Sequence, residues 1–139
     1  MSSESRRLAG VLLVILPTVM IGGVSILTLL IGDSAYMRNP LRQDLWRAGH
    51  AHAGVLLILS LIVLRYVDEA QLTSRLKAFV RVATPSAAIL MPLAFFLSVL
   101  TPDATKPNAL IALAYVGAAV LAAGVLVLGI GLLRSRTSG

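Results

Sequence analysis

The chain has only two histidines, His50 and His52, and both stand in the stretch 46–64, WRAGHAHAGVLLILSLIVL, where a loop of mixed charge gives way to an apolar run. Neutral imidazole is the commonest metal ligand and the side chain that titrates nearest to physiological pH. A histidine at membrane depth is costly and marks a functional site by default. No other apolar run is read as carrying an ionisable side chain in its interior. On a helix, residues two apart point about 200° away from each other, so one regular helix cannot direct both rings at a single ion. Either one histidine faces the bundle while the other faces headgroups, or Gly49 lets the first turn unwind. The apolar face continues from His52 through Val55, Leu56 and Leu59, a three-four spacing that follows one side of a helix. His52 is therefore the expected metal ligand, and His50, beside Gly49 and Arg47, the peripheral group. The non-functional alternative makes both histidines interfacial, bonded to water, lipid phosphate or a loop carbonyl.

The elements that must position these residues follow from composition. The chain has 139 residues, of which 58% are hydrophobic, and its mean hydropathy is +0.90. A soluble fold of this length could not bury that much apolar surface, and long apolar stretches mark a membrane protein. Cysteine is absent, which removes disulfides, thiolate metal sites and cysteine nucleophiles. The net charge of +6 does not imply nucleic-acid binding. The basic residues gather near the ends of apolar runs, as topology determinants and lipid contacts do.

Four runs are long enough to cross a bilayer, at about residues 8–31, 48–66, 79–100 and 109–133. They predict an all-α fold, a four-transmembrane-helix bundle, with residues 1–139 as a single transmembrane domain. The first run is too long for the core of a signal peptide and is read as a retained helix. Pro17 should kink it, and Gly22–Gly23 leave a notch for close approach of another helix. Asn39-Pro40 has the form of a helix start, asparagine as cap and proline at the first helical position. After it, Leu41, Leu45 and Trp46 form an apolar side while Arg42, Gln43 and Asp44 face elsewhere. Tyr36 and Trp46 suit the headgroup level. The third run contains Pro85 and Pro92, tolerated where neighbouring groups satisfy the freed carbonyls. In the fourth, Gly117, Gly124 and Gly131 recur every seven residues, extended by Ala114 and Ala118. Such a small-residue seam serves packing within the chain or between copies.

Arg6, Arg7, Arg65, Arg75, Lys77, Arg81, Arg134 and Arg136 fall on the side of the termini and the 67–77 connection. Arg38, Arg42, Arg47 and Lys106 fall on the other. Eight against four predicts a multi-pass cell-membrane protein with both termini cytoplasmic and the histidines near the outer face.

A basic N-terminus, a first span, an outer loop with Asn-Pro, and then Arg-x-x-His-x-His opening an apolar helix together resemble the start of haem-copper oxidase subunit I. The small stand-alone membrane proteins related to that subunit are closer still, since His-Ala-His recurs there. The resemblance covers about residues 6–66. It implies haem as cofactor, ligated by His52, which is followed by Ala53-Gly54-Val55-Leu56 as in the small-then-apolar run after the oxidase ligand. The chain departs from the oxidases in having four spans rather than about twelve, and in lacking a third histidine and any copper site, so oxygen reduction is not expected of it. Met91 and Met20 lie too deep to be level with His52, and Met37 is unanchored. A bis-histidine haem would need two copies of the chain, whereas a five-coordinate haem needs one. Arg47, Arg42 and Arg38 stand where propionates would lie, though lipid phosphates would serve them equally. Asp44 could orient an imidazole, and Tyr115 could hydrogen-bond one.

Two functions compete on these grounds. One is a haem- or metal-binding membrane protein with His52, His50 and Arg47 at its site. The other is a non-enzymatic accessory bundle that packs into a homo-oligomer or a larger membrane complex. Transport and enzymatic chemistry fit less well, because the spans hold no midplane acid or base, carboxylate pair or activated nucleophile.

Overall fold

The computed structural model describes residues 1–134, so Arg136 of the basic tail lies outside the described residues. Five α-helices account for nearly all of it: α1 (Ser3–Gly32), α2 (Ser34–Met37), α3 (Pro40–Tyr66), α4 (Ser74–Ser98) and α5 (Ala112–Arg134), the last entered through a 3-10 turn, Ala109–Ile111. No strand occurs among the described residues. α1, α3, α4 and the Ala109–Arg134 segment are each long and apolar enough to cross a membrane, and together they make an all-α four-helix bundle.

Polar side chains set the helix starts. Ser2 accepts from the Ser5 amide, Asn39 from Arg42, and Thr73 from Leu76, each relieving one of the orphan donors of a first turn. Asp33 accepts from the amides of Ala35 and Tyr36, at 2.8 and 3.0 Å, so the chain turns directly from α1 into α2. With Asn39 as cap and Pro40 at the first position, α3 runs unbroken from the interface through the apolar stretch.

α4 holds the bundle together, packing on α3 and on α5, while α1 rests mainly on α3. Leu12 of α1 meets Leu57 and Leu64 of α3. Near the end that carries the N-terminus, Val63, Val67, Ala70, Val80 and Leu128 form a second cluster. The glycine seam of α5 is an intrachain seam. Added Cβ atoms on Gly117, Gly124 and Gly131 would stand 2.6–2.7 Å from Met91, Ala83 and Leu72 respectively, so a side chain there would force its neighbour to shift. Ala118 is exposed and lies outside that seam. Most remaining surface of α1 is apolar and exposed, as Val14, Ile21, Val24 and Ile31 illustrate, which in a membrane helix is the face left to lipid.

At the end holding the N-terminus, Arg81 is buried, with its side chain 10% exposed. Its Nε donates to Ser5 Oγ at 3.0 Å, and its Nη atoms donate to Glu4 at 2.8 Å, to Asp68 at 2.7 Å and to Ser2 Oγ at 3.3 Å. The Ser2 amide donates to the other Asp68 oxygen at 2.7 Å. Burial alone would raise the Asp68 pKa. The donors from Ser2, Arg81 and Ser5 outweigh it and hold the carboxyl well below the usual carboxylate range. This network corrects the expectation that only the second span carries an interior ionisable group: Arg81 stands inside the third apolar run and ties α1, α4 and the α3–α4 connection together through four of its N–H groups.

Candidate functional site around His52

The site lies at the opposite end, in the first four turns of α3. Arg42 occupies the wall between α3 and α4. It is buried, its Nε donates to the Val99 carbonyl at 3.1 Å, and its Nη2 donates to that of Leu100 at 3.3 Å. These carbonyls close α4, where no further helical amide can reach them. The guanidinium carbon also sits 4.5 Å from the centre of the Trp46 ring, within cation–π range. Trp46 in turn donates from Nε1 to the Phe96 carbonyl at 3.2 Å. Arg42 therefore does not face away from the apolar side, and it is not available to a propionate.

Tyr36 is a second departure from expectation. Its ring is fully buried, 5.6 Å from that of Trp46, and so faces the protein and not lipid. Burial raises its pKa, against the opposing pull of the Arg47 and Arg42 charges.

The two histidines part as the helical geometry requires. The His50 ring fills the notch of α1. A Cβ on Gly23 would lie 2.8 Å from His50 Nε2, and one on Gly22 would lie 3.9 Å from Nδ1. The absence of side chains at these two positions is what lets an imidazole lie between the helices. The expected notch is present, and its occupant is a ring from α3 rather than a helix backbone.

His52 faces elsewhere. Its Nδ1 lies 2.7 Å from the Ala48 carbonyl oxygen one turn earlier. A carbonyl can only accept, so Nδ1 carries a proton in this contact, and in the neutral ring the lone pair is then on Nε2. Nε2 has no hydrogen-bond partner among the described residues. The ring stands 5.0 Å from that of Phe95 on α4, tilted at 45°, and together with Ala51, Val55 and Leu56 it lines a shallow apolar recess of about 150 Å³.

Arg47 stands one turn outward of Ala51 on the same side of α3. It donates to Asp44 at 2.7 Å and to the Gln43 carbonyl at 3.2 Å, and both members of the ion pair are well exposed. Such a surface pair is weakly held. Asp44 thus partners Arg47 and does not orient an imidazole. Tyr115 is 76% exposed and makes no hydrogen bond among the described residues, so it is not a partner of either histidine. Met91 packs against Gly117 in the α4–α5 seam.

The structure thus leaves Arg47 exposed and His52 half-buried with Nε2 unpartnered, and turns His50, equally half-buried, and Arg42 to packing. No group of three or more histidine, cysteine, aspartate or glutamate side chains comes together as a metal site among the described residues. Sequence reasoning missed the Arg42–Trp46 pair, although its four-residue spacing on a helix was a usable signal. No family model, curated protein or solved structure matches this chain.

Proposed function

We propose that this chain is a small cell-membrane protein, with both termini in the cytoplasm, that binds haem or a single metal ion through Nε2 of His52 near the outer face. The observation that carries this reading is the 2.7 Å contact of His52 Nδ1 with the Ala48 carbonyl. Holding one ring nitrogen on a backbone carbonyl fixes the tautomer and leaves the other as ligand, a common arrangement around histidine-bound metals. The Arg-x-x-His-x-His resemblance to haem-copper oxidase subunit I and its small relatives points the same way, and the eight-to-four basic asymmetry supports the orientation.

The residues at hand fit one axial ligand. His52 would hold the iron, with Phe95 packed beside the imidazole. Arg47 can exchange its exposed Asp44 partner for a propionate carboxylate. Bound there, haem would supply one-electron exchange. The recess of about 150 Å³ is smaller than the roughly 300 Å³ at which ligand pockets begin. Most of a flat macrocycle would therefore be covered by lipid, or by a second copy of the chain offering its own His52.

A second reading is a non-enzymatic accessory bundle with no cofactor. It is favoured by the use of His50, Arg42 and Trp46 in packing. Absorbance and metal analysis decide between the two. Protein expressed with ample haem and iron, then purified, should show a Soret band with one haem per one or two chains. Colourless, metal-free protein would leave the accessory bundle.

A further inference from the structure

At the end that carries the N-terminus, Glu4, Arg7 and Leu8 of α1 and Ala78, Arg81 and Val82 of α4 line an open groove of about 420 Å³. Each helix contributes residues i, i+3 and i+4, the spacing that puts three side chains on one face. The groove runs between two helices that both start at this end. Its lining combines the charged Glu4, Arg7 and Arg81 with the apolar Leu8, Ala78 and Val82. The same faces continue into the bundle span as exposed Val11 and Ile15 on α1 and Ile89 on α4.

We propose that this groove is a binding site for an anionic phospholipid of the leaflet on that side, with the phosphate on Arg7 and Arg81 and an acyl chain along Leu8 and Val82. Two features select an anion. Arg7 is exposed and has no ion pair or hydrogen bond among the described residues. Arg81, although buried, uses only four of its five N–H groups: Nε on Ser5, one at Nη1 on Glu4, and both at Nη2 on Ser2 and Asp68. One Nη1 donor remains at the groove wall.

The local charge agrees. Of the charges in and beside the groove, Arg7, Arg81 and Lys77, which donates to the Asp68 carbonyl at 2.8 Å, exceed the carboxylates Glu4 and Asp68 by one. Basic pockets between transmembrane helices are suited to anionic headgroups, and the apolar continuation favours a phosphate that carries an acyl chain. Glu4 is the built-in competitor, because its exposed carboxylate holds the Nη1 edge that a phosphate would approach.

The test uses the full chain in nanodiscs of phosphatidylcholine, with retained lipids read by native mass spectrometry as phosphatidylglycerol or phosphatidylethanolamine of the same acyl chains is titrated in. Phosphatidylglycerol should be retained preferentially. Arg7→Ala should weaken that retention about ten-fold, the worth of one charge-assisted hydrogen bond. Glu4→Gln should strengthen it, and Arg134→Ala, at the same end but outside the groove lining, should leave it unchanged. Thermal unfolding run in parallel identifies any variant that fails to fold, and Arg7, being unpaired, should unfold like the parent when replaced. Equal retention of phosphatidylcholine and phosphatidylglycerol would overturn the proposal, as would preference for phosphatidylethanolamine. Equal weakening by Arg7→Ala and Arg134→Ala would show only diffuse attraction and would also overturn it. Displacement of the lipid by an equal concentration of glycerol phosphate would assign the groove to a soluble phosphate instead.

Discussion

His50 and His52 share one helix, one apolar stretch and one chemistry, yet the fold treats them in opposite ways. His50 lies in the glycine notch of α1, where its ring replaces the side chains that Gly22 and Gly23 lack. His52 is fixed by its own backbone through Nδ1 and keeps Nε2 open beside Phe95. Two residues of separation on a helix suffice for this, since a turn of about 200° moves a side chain from one neighbouring helix to another. The same division recurs among the charged residues. Arg42 is buried on the closing carbonyls of α4, while Arg47, one turn and a half later, holds only an exposed pair. Asp68 is enclosed by donors, and Asp44 is not. Residue type does not decide whether a polar side chain serves the fold or remains available; the helix face on which it stands does.

The contrast can be broken most forcefully at the arginines. Arg42→Ala should lower unfolding stability in detergent by about 2–4 kcal/mol, through two uncapped carbonyls and a lost cation–π contact. Arg47→Ala should change it by less than about 1 kcal/mol, as expected for a surface ion pair.

The carboxylates give the next effect, read against pH. The folded-state pKa of Asp68 is depressed, so its stabilisation is complete above the ordinary carboxylate range and is lost as pH falls through and below that range. Asp68→Asn should flatten this acid limb and lower stability at neutral pH, whereas Asp44→Asn should leave the limb in place. Denaturant unfolding between about pH 3 and 7 checks this, since unperturbed aspartate titrates near 3.9.

The smallest of the three lies at the notch. Gly23→Ala puts a Cβ against the His50 ring at 2.8 Å and should displace it, costing about 1–2 kcal/mol as overpacking does. Gly22→Ala meets only an ordinary contact at 3.9 Å and should be neutral or stabilising, because alanine is the better helix former.

Much of the architecture was legible in the sequence because membrane solvation imposes simple rules. Four apolar runs of sufficient length became four helices, Asn39-Pro40 became the start of α3, and the glycine notch of α1 and glycine seam of α5 became close contacts. Polar partnerships across the bundle were not legible. Arg81 read as a topology charge because its partners Ser2, Glu4, Ser5 and Asp68 stand on other segments, and nothing local announces them. The burial of Tyr36 and Arg42 was not legible because it depends on how the outer turns of α3 meet the end of α4. The helical spacing did foretell that the histidines diverge. Where Tyr115 would point was beyond reach, because the glycine seam turns α5 so that Tyr115 faces outward.

The most direct test of His52 as the ligand is the Soret absorbance of His52→Ala beside that of His50→Ala, both prepared with ample haem exactly as the parent protein is. His52→Ala should lose the band or shift it strongly at only a small cost in stability, since its half-buried ring makes one local hydrogen bond and one ring contact with Phe95. His50→Ala should keep the band and lose stability instead, because it empties the α1–α3 notch. A band that survives His52→Ala unchanged, or that disappears only in His50→Ala, would contradict the assignment.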